Sequence, residues 1–351
     1  MFWSISERFG LFVSIKEWLI LAEWITKGIT GRVEMFFGSK DFGRGVALAS
    51  PSVSKKREDP LRVGGQAVIE GVMMRSPRSM AVAVRRPNGE IVVKRERLNF
   101  FSEKRLFSKL PLVRGVMNLL SALVLGMRAL NFSANQSLEE EKEMSSWTMG
   151  LTFAFALCFG VLLFFLVPLF LTKWLRFAIP MVSTSGILFN LVDGILRLAI
   201  FLAYLRAISC FKEVRRIFEY HGAEHKSIFA FESGERLMAD RVKGYSHLHP
   251  RCGTSFLLIV MVVSIVVFAL IPHQLAFGYK VASRVIFIPL IAGLAYEIIR
   301  FADQKRERKS MQYFIKPGLW LQRMTAREPS EDQIEVALRA LHEVLELEGH
   351  R

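Results

Sequence analysis

The sequence predicts a mainly α-helical membrane protein, with about four transmembrane helices, a small β-rich domain on the cytoplasmic side, and amphipathic helices. Three observations predict it. First, 52% of the 351 residues are hydrophobic and the mean hydropathy is +0.30, above that of an ordinary soluble domain. Second, several apolar runs approach or exceed the length that a bilayer core requires. Third, the formal net charge of +15 is clustered between those runs, as in a chain whose basic loops face the cytoplasm. A charge this positive could also attract nucleic acid, but 29 Phe and the long apolar runs fit lipid better, and no specific nucleic acid is expected. Cys158, Cys210 and Cys252 are odd in number and widely separated, which excludes a disulfide framework.

The elements follow in chain order. Residues 1–30 are amphipathic, with Trp3, Phe9, Phe12, Trp18 and Trp24 interrupted by Glu7, Arg8, Lys16, Glu17 and Glu23. They lack the apolar core and cleavage site of a signal peptide and suit an interfacial helix. Residues 38–60 read as a linker, closing an N-terminal extension over 1–60. Residues 61–110 form the basic β-rich domain. There AVAVRRPNGEIVVKRE alternates about the turn signal Pro87-Asn88-Gly89, and Gly64, Gly65 and Gly71 permit tight backbone geometry. Residues 111–131 hold only 13 residues between Arg114 and Arg128, short for a span and suited to an interfacial or half-inserted helix.

A transmembrane domain follows over 147–300. Its spans are 147–171, 186–208 (interrupted by Asp193 and Arg197), 254–271 and 282–300, and a His-rich loop occupies 209–253. Lys and Arg crowd 55–109, 209–251 and 300–327. Placing all three regions inside requires four spans, with both termini cytoplasmic. In the tail, 301–351, Ser330 is an N-cap signal, and Ile334, Ala337, Leu338, Leu341, Val344 and Leu345 recur at helical spacing.

The chemistry centres on His221-Gly-Ala-Glu224-His225. Two histidines four apart share a helix face, which suits two imidazole ligands for a divalent metal, with the intervening carboxylate as general base. Three residues compete for the third ligand position. Glu297 lies 72 residues after His225 near the cytoplasmic end of the last span, while His249 and Cys252 stand in HPRCG of the same loop as the motif. Coordination completed by Cys252 with no open position would make the site structural.

Blander readings stand beside these. The histidine face could meet lipid phosphates while Glu224 pairs with Lys226 or Arg215. Glu297 could pair with Arg300, and Cys252 could be a packed residue. Asp193 and Arg197, four apart, read as an ion pair within a span, or else as part of an ion pathway. Glu70 reads as a site candidate or a solvated carboxylate in a turn.

The strings GGQAVIEGVMMRSP (64–77, after Val63), RGV (114–116), HGAEHK (221–226) and HPRCGTSF (249–256) resemble the YqhQ-like family of bacterial membrane proteins. The resemblance runs over roughly 61–325. It implies a multi-pass membrane protein of a family of unknown function, some of whose members are labelled metal-dependent enzymes. Gly64, Gly65, Gln66, Glu70, Gly71, His221, Glu224, His225, His249, Arg251 and Cys252 stand at its motif positions. No substrate comes with it.

Together these readings lead to the expectation of a zinc-type hydrolase, a peptidase for example, at the cytoplasmic face of a bacterial inner membrane. Its alternatives are a non-catalytic assembly or scaffold protein that meets the lipid bilayer, another membrane protein or the ribosome, and an ion or solute carrier. A divalent metal, zinc by its ligand types, is the expected cofactor.

Overall fold

The alternating segment after residue 61 folds as its period predicts. β1 (Gly64–Val68), β2 (Gly71–Arg75), β3 (Ser79–Arg85) and β4 (Ile91–Arg97) form one antiparallel meander in chain order. The computed structural model describes residues 61–98, 110–137, 146–179, 185–271, 276–305 and 308–349, all within one unit running from Val53 to Arg351. The amphipathic helix and linker expected over 1–60 lie outside the described residues.

Register explains why the sheet is buried on both faces. Val72 pairs with Ala83 and Met74 with Ala81, and these four join one apolar cluster with Ile334, Leu341 and Val344. The intervening Met73, Val82 and Val84 turn to the other face, where they meet Leu125 and Ala129. Gly71 is required where β2 crosses β3, since a Cβ there would lie 2.2 Å from the Ala83 carbonyl oxygen. The β3–β4 turn uses Gly89 at φ 87°, with Asn88 Oδ1 accepting from the Glu90 amide at 3.0 Å.

Helix α1 (Pro111–Ser137) has 27 residues, about 40 Å of helix. The sequence reading ended it too early. Both arginines that seemed to bound a 13-residue apolar run are neutralised: Arg114 forks onto Glu297, and Arg128 pairs with Glu96 at 3.3 Å. One end of α1 packs through Gly115 against Gly293 and Tyr296. The other end lies on the sheet through Leu125 and Ala129.

Next come α2 (Ser146–Val161), a π turn (Leu162–Leu166) and α3 (Val167–Ala178). They run on as a helix exposing Phe155 (72%) and Trp174 (70%). Helix α4 is Gly186–Ile208, α5 is Lys212–Glu232, and α6 is the short Ala239–Val242. Helix α7 (Gly253–Ala269) has 17 residues, short of the span expected over 254–271. The segment expected as one span over 282–300 is two helices, α8 (Phe277–Ile286) and α9 (Ile288–Gln304), bent by 41° beside Pro289. Among the described residues, three helices are long and apolar enough to cross a membrane, Pro111–Ser137, Gly150–Leu175 and Gly186–Ile208, or four if the bent pair counts as one span.

Helix α10 (Lys309–Thr325) packs on α7, and α11 (Glu331–Leu347) covers the sheet. Ser330 caps α11 with a full capping box to Gln333. Ile334, Val336, Ala337, Leu338, Ala340, Leu341, Val344 and Leu345 are all buried, each large one contributing about 1.5–3 kcal/mol. The C-terminal end of α11 is held at Glu348, whose carboxylate accepts from Ser76 (2.5 Å) and Ser79 (2.9 Å) and from Arg78.

Candidate metal centre

The expected His-rich loop is ordered around α5, a 21-residue helix that carries HGAEH on its buried face. Helical spacing brings the two imidazoles together, their ring centroids 4.4 Å apart and their planes tilted by 56°. Each ring is then fixed by a backbone carbonyl. Nδ1 of His221 meets the Thr325 oxygen at 2.6 Å, and Nδ1 of His225 meets the His247 oxygen at 2.6 Å. With Nδ1 as the donor in both, each Nε2 keeps a lone pair, the tautomer of a metal-ligating histidine.

Both Nε2 atoms converge on Cys252. The ligand atoms of His221, His225 and Cys252 lie within 4.8 Å of one another, and His221 Nε2 is 3.1 Å from the sulfur. Cys252 is the N-cap of α7, its sulfur accepting from the Thr254 amide at 3.4 Å, a setting that suits an anionic ligand. His225 is 1% exposed, and its Nε2 makes no hydrogen bond of ordinary geometry, a costly vacancy for a buried polar atom. Burial holds the His225 pKa down, with Cys252 pulling it up, and a neutral imidazole is the ligating form. The donor set, two imidazoles and a thiol, fits a zinc-class ion.

Glu224 flanks the trio. Its Oε2 is 3.6 Å from His225 Nε2 and 4.0 Å from His221 Nε2. Burial raises its pKa, opposed by His221, His249 and the Gly65 amide. Gly65 in β1 is indispensable to that approach, because a Cβ there would stand 2.7 Å from Glu224 Cγ. Gly222, between the two histidines, packs on the strap that joins α10 to α11: a Cβ there would lie 1.9 Å from the Arg327 carbonyl oxygen.

The turn that delivers Cys252 is clamped from α10. Gln322, fully buried, accepts from the His249 amide at 2.8 Å and donates to its carbonyl at 2.9 Å. Glu328 on the strap pairs with Lys226 (2.6 Å) and with His247 (3.0 Å), so it braces the residue whose carbonyl orients His225.

The other sequence candidates fall into place around this centre or away from it. His249 stands beside it, with its ring centroid 5.7 Å from that of His225 and 4.4 Å from that of Phe229. Arg251 pairs with Glu232. Glu70 is not a lone solvated carboxylate. At φ 52° in the β1–β2 turn, it receives both sides of the Arg216 guanidinium and lies 3.3 Å from the Tyr220 hydroxyl, tying the sheet to α5. Glu297 is not brought to the trio; it is engaged by Arg114 rather than Arg300. Asp193 and Arg197 form the expected ion pair at 2.8 Å, but within the apolar helices and with Arg284 added. Sequence reasoning singled out Gly65 for tight backbone geometry but not for its place against Glu224, and it missed Arg284 and the two carbonyl acceptors. The acceptors are backbone atoms and leave no residue signature.

A family model described as "Protein of unknown function (DUF1385)" matches residues 110–347. The chain belongs to this family. It is 33% identical over 308 residues to "Uncharacterized protein YqhQ" of Bacillus subtilis (strain 168), covering 84% of this chain and 95% of that relative. No solved structure matches. The family assignment agrees with the motif resemblance, and His221, Glu224, His225 and Cys252 all lie within the matched region.

Proposed function

We propose that this protein is a metal-dependent hydrolase of the zinc type, acting on an amide or peptide bond presented where its apolar helices meet the sheet domain. The observation that carries the reading is the convergence of His221 Nε2, His225 Nε2 and Cys252 Sγ, with both Nδ1 atoms tied to carbonyls and Glu224 beside them. A bound divalent ion would supply Lewis-acid polarisation of an oxygen atom at the site. In this reading Glu224, whose Oε2 lies 3.6 Å from His225 Nε2, takes a proton from a water facing the two imidazoles and returns it to a leaving group. The site stands at the end of the apolar set, because Cys252 is the first capping residue of α7. In this reading the apolar helices lie in a bacterial inner membrane, and the basic sheet domain and both termini face the cytoplasm, as the Lys/Arg distribution supports.

The burial of Glu224 (5%) and Cys252 (8%) favours a second reading, in which the ion is structural in a non-catalytic membrane assembly protein. The test separates the two. Elemental mass spectrometry on detergent-purified chain should show about one zinc per chain, lost in His221→Ala/His225→Ala. Glu224→Gln should keep the metal yet fail to complement a null strain. Full complementation by Glu224→Gln with metal retained would sink the hydrolase and leave the structural site. A metal-free wild type, after reloading, would sink both.

A further inference from the structure

A second cluster of polar chemistry lies in the apolar helices, away from the metal centre. Asp193 and Arg197 on α4 and Arg284 on α8 are 1%, 2% and 3% exposed. The carboxylate serves both cations. Arg197 Nη2 donates to Asp193 Oδ2 at 2.8 Å, while Arg284 reaches Oδ1 at 3.0 Å and Oδ2 at 2.9 Å. Arg197 Nη1 donates to the Ser264 hydroxyl of α7 at 3.0 Å. Arg284 Nη1 lies 3.4 Å from the Phe165 carbonyl oxygen, inside the π turn, the kind of helix irregularity that recurs at functional sites. Arg197 lies over the Phe165 and Phe268 rings at 5.2 and 4.9 Å, and Arg284 over Phe268 at 5.3 Å.

The charges do not balance. Two guanidiniums share one carboxylate, and no second carboxylate pairs with them among the described residues. Arg197 Nε is buried with no hydrogen-bond partner. A self-contained ion lock would close its charge and its donors, because an uncompensated buried cation is expensive in apolar surroundings. Lys280 stands one turn before Arg284 on α8, over the Phe189 ring. Ser264 lies twelve residues after Cys252, about 18 Å along α7, so the cluster is separate from the metal centre.

We propose that Arg197 and Arg284 form a binding site for a phosphate-class oxyanion, which supplies the missing negative charge and the acceptor for Arg197 Nε. Guanidiniums are the side chains best suited to such an oxyanion. Phosphate oxygens of this kind come from a free anion or from the headgroup of an anionic lipid, and the experiment distinguishes the two.

The full chain is purified in neutral detergent without phosphate, and its Tm is followed with inorganic phosphate against chloride at matched ionic strength. In parallel it is placed in nanodiscs of phosphatidylcholine, with and without phosphatidylglycerol. A rise of several degrees with inorganic phosphate identifies the free anion. A rise with phosphatidylglycerol alone identifies the headgroup. In either case Arg284→Gln should weaken the response at least tenfold in half-saturating concentration, and His221→Ala/His225→Ala should leave it unchanged. Should Arg284→Gln fail to fold, Arg284→Lys, which keeps the charge but loses the fork, should still weaken it. A wild type that responds to neither probe, or an Arg284 variant that responds as wild type does, overturns the proposal.

Discussion

Gly222→Ala tests the idea that the proposed metal centre is held in register by the strap rather than by its three candidate ligands alone. The added Cβ would lie 1.9 Å from the Arg327 carbonyl oxygen and 3.0 Å from its carbon. Because the obstruction is backbone, the strap must retreat by about 1.5 Å to regain ordinary contact near 3.4 Å. Thr325, two residues earlier, holds His221 Nδ1 at 2.6 Å, and a retreat of that size takes the carbonyl beyond hydrogen-bond range. Overpacking of this kind costs about 1–3 kcal/mol of stability. Loss of the group that orients a ligating histidine costs roughly 10–100-fold in metal affinity. The assay is zinc competition against a chromophoric chelator on the full chain in detergent, with Tm read alongside. Gly64→Ala is the control, since nothing lies within 4 Å of a Cβ there. Wild-type zinc affinity and Tm in Gly222→Ala would refute the reasoning.

Three further outcomes are expected. Burial raises the Glu348 pKa, but Ser76, Ser79 and Arg78 outweigh it and hold the carboxyl below its ordinary value. Its stabilisation is therefore complete above the unfolded value of about 4.3 and is lost as pH falls through the lower folded value. Glu348→Gln should accordingly be less stable than wild type by about 1–3 kcal/mol near pH 7, with the gap closing below about pH 4 in thermal melts; a gap independent of pH would contradict this. Leu341→Ala, at a fully buried position between α11 and the sheet, should lose about 2–5 kcal/mol, read as a lower chemical-denaturation midpoint. Glu297→Gln should leave zinc stoichiometry unchanged, because its carboxylate belongs to Arg114; zinc lost without unfolding would return Glu297 to the ligand set.

What the sequence made legible was local. HGAEH is a spacing argument on one helix, and α5 delivers it unchanged. The alternation around Pro87-Asn88-Gly89 and the Ser330 cap were equally readable, because strand period and capping depend on neighbours a few residues away. The failures came from distant partners. Arg114 looked like the boundary of a short apolar run, and Glu297 like a ligand candidate or a partner of Arg300, because the bond between Arg114 and Glu297 spans 183 residues. Arg284 passed as part of an apolar span, since nothing near it in sequence announces Asp193, 91 residues away. That Cys252, rather than Glu297 or His249, groups with the two histidines depended on where α7 begins relative to α5, which is a matter of packing.

The strap also sets the order in which the centre can be assembled during synthesis. His221 emerges from the ribosome 104 residues ahead of the carbonyl that orients it, and Gly65, which seats Glu224, emerges long before both. On the proposed metal reading, the early histidines lack the carbonyls that orient them while the apolar helices are still being laid down. If the site takes a metal as proposed, high-affinity loading requires a chain translated at least through Glu328, so metal occupancy would report that the C-terminal helices had docked.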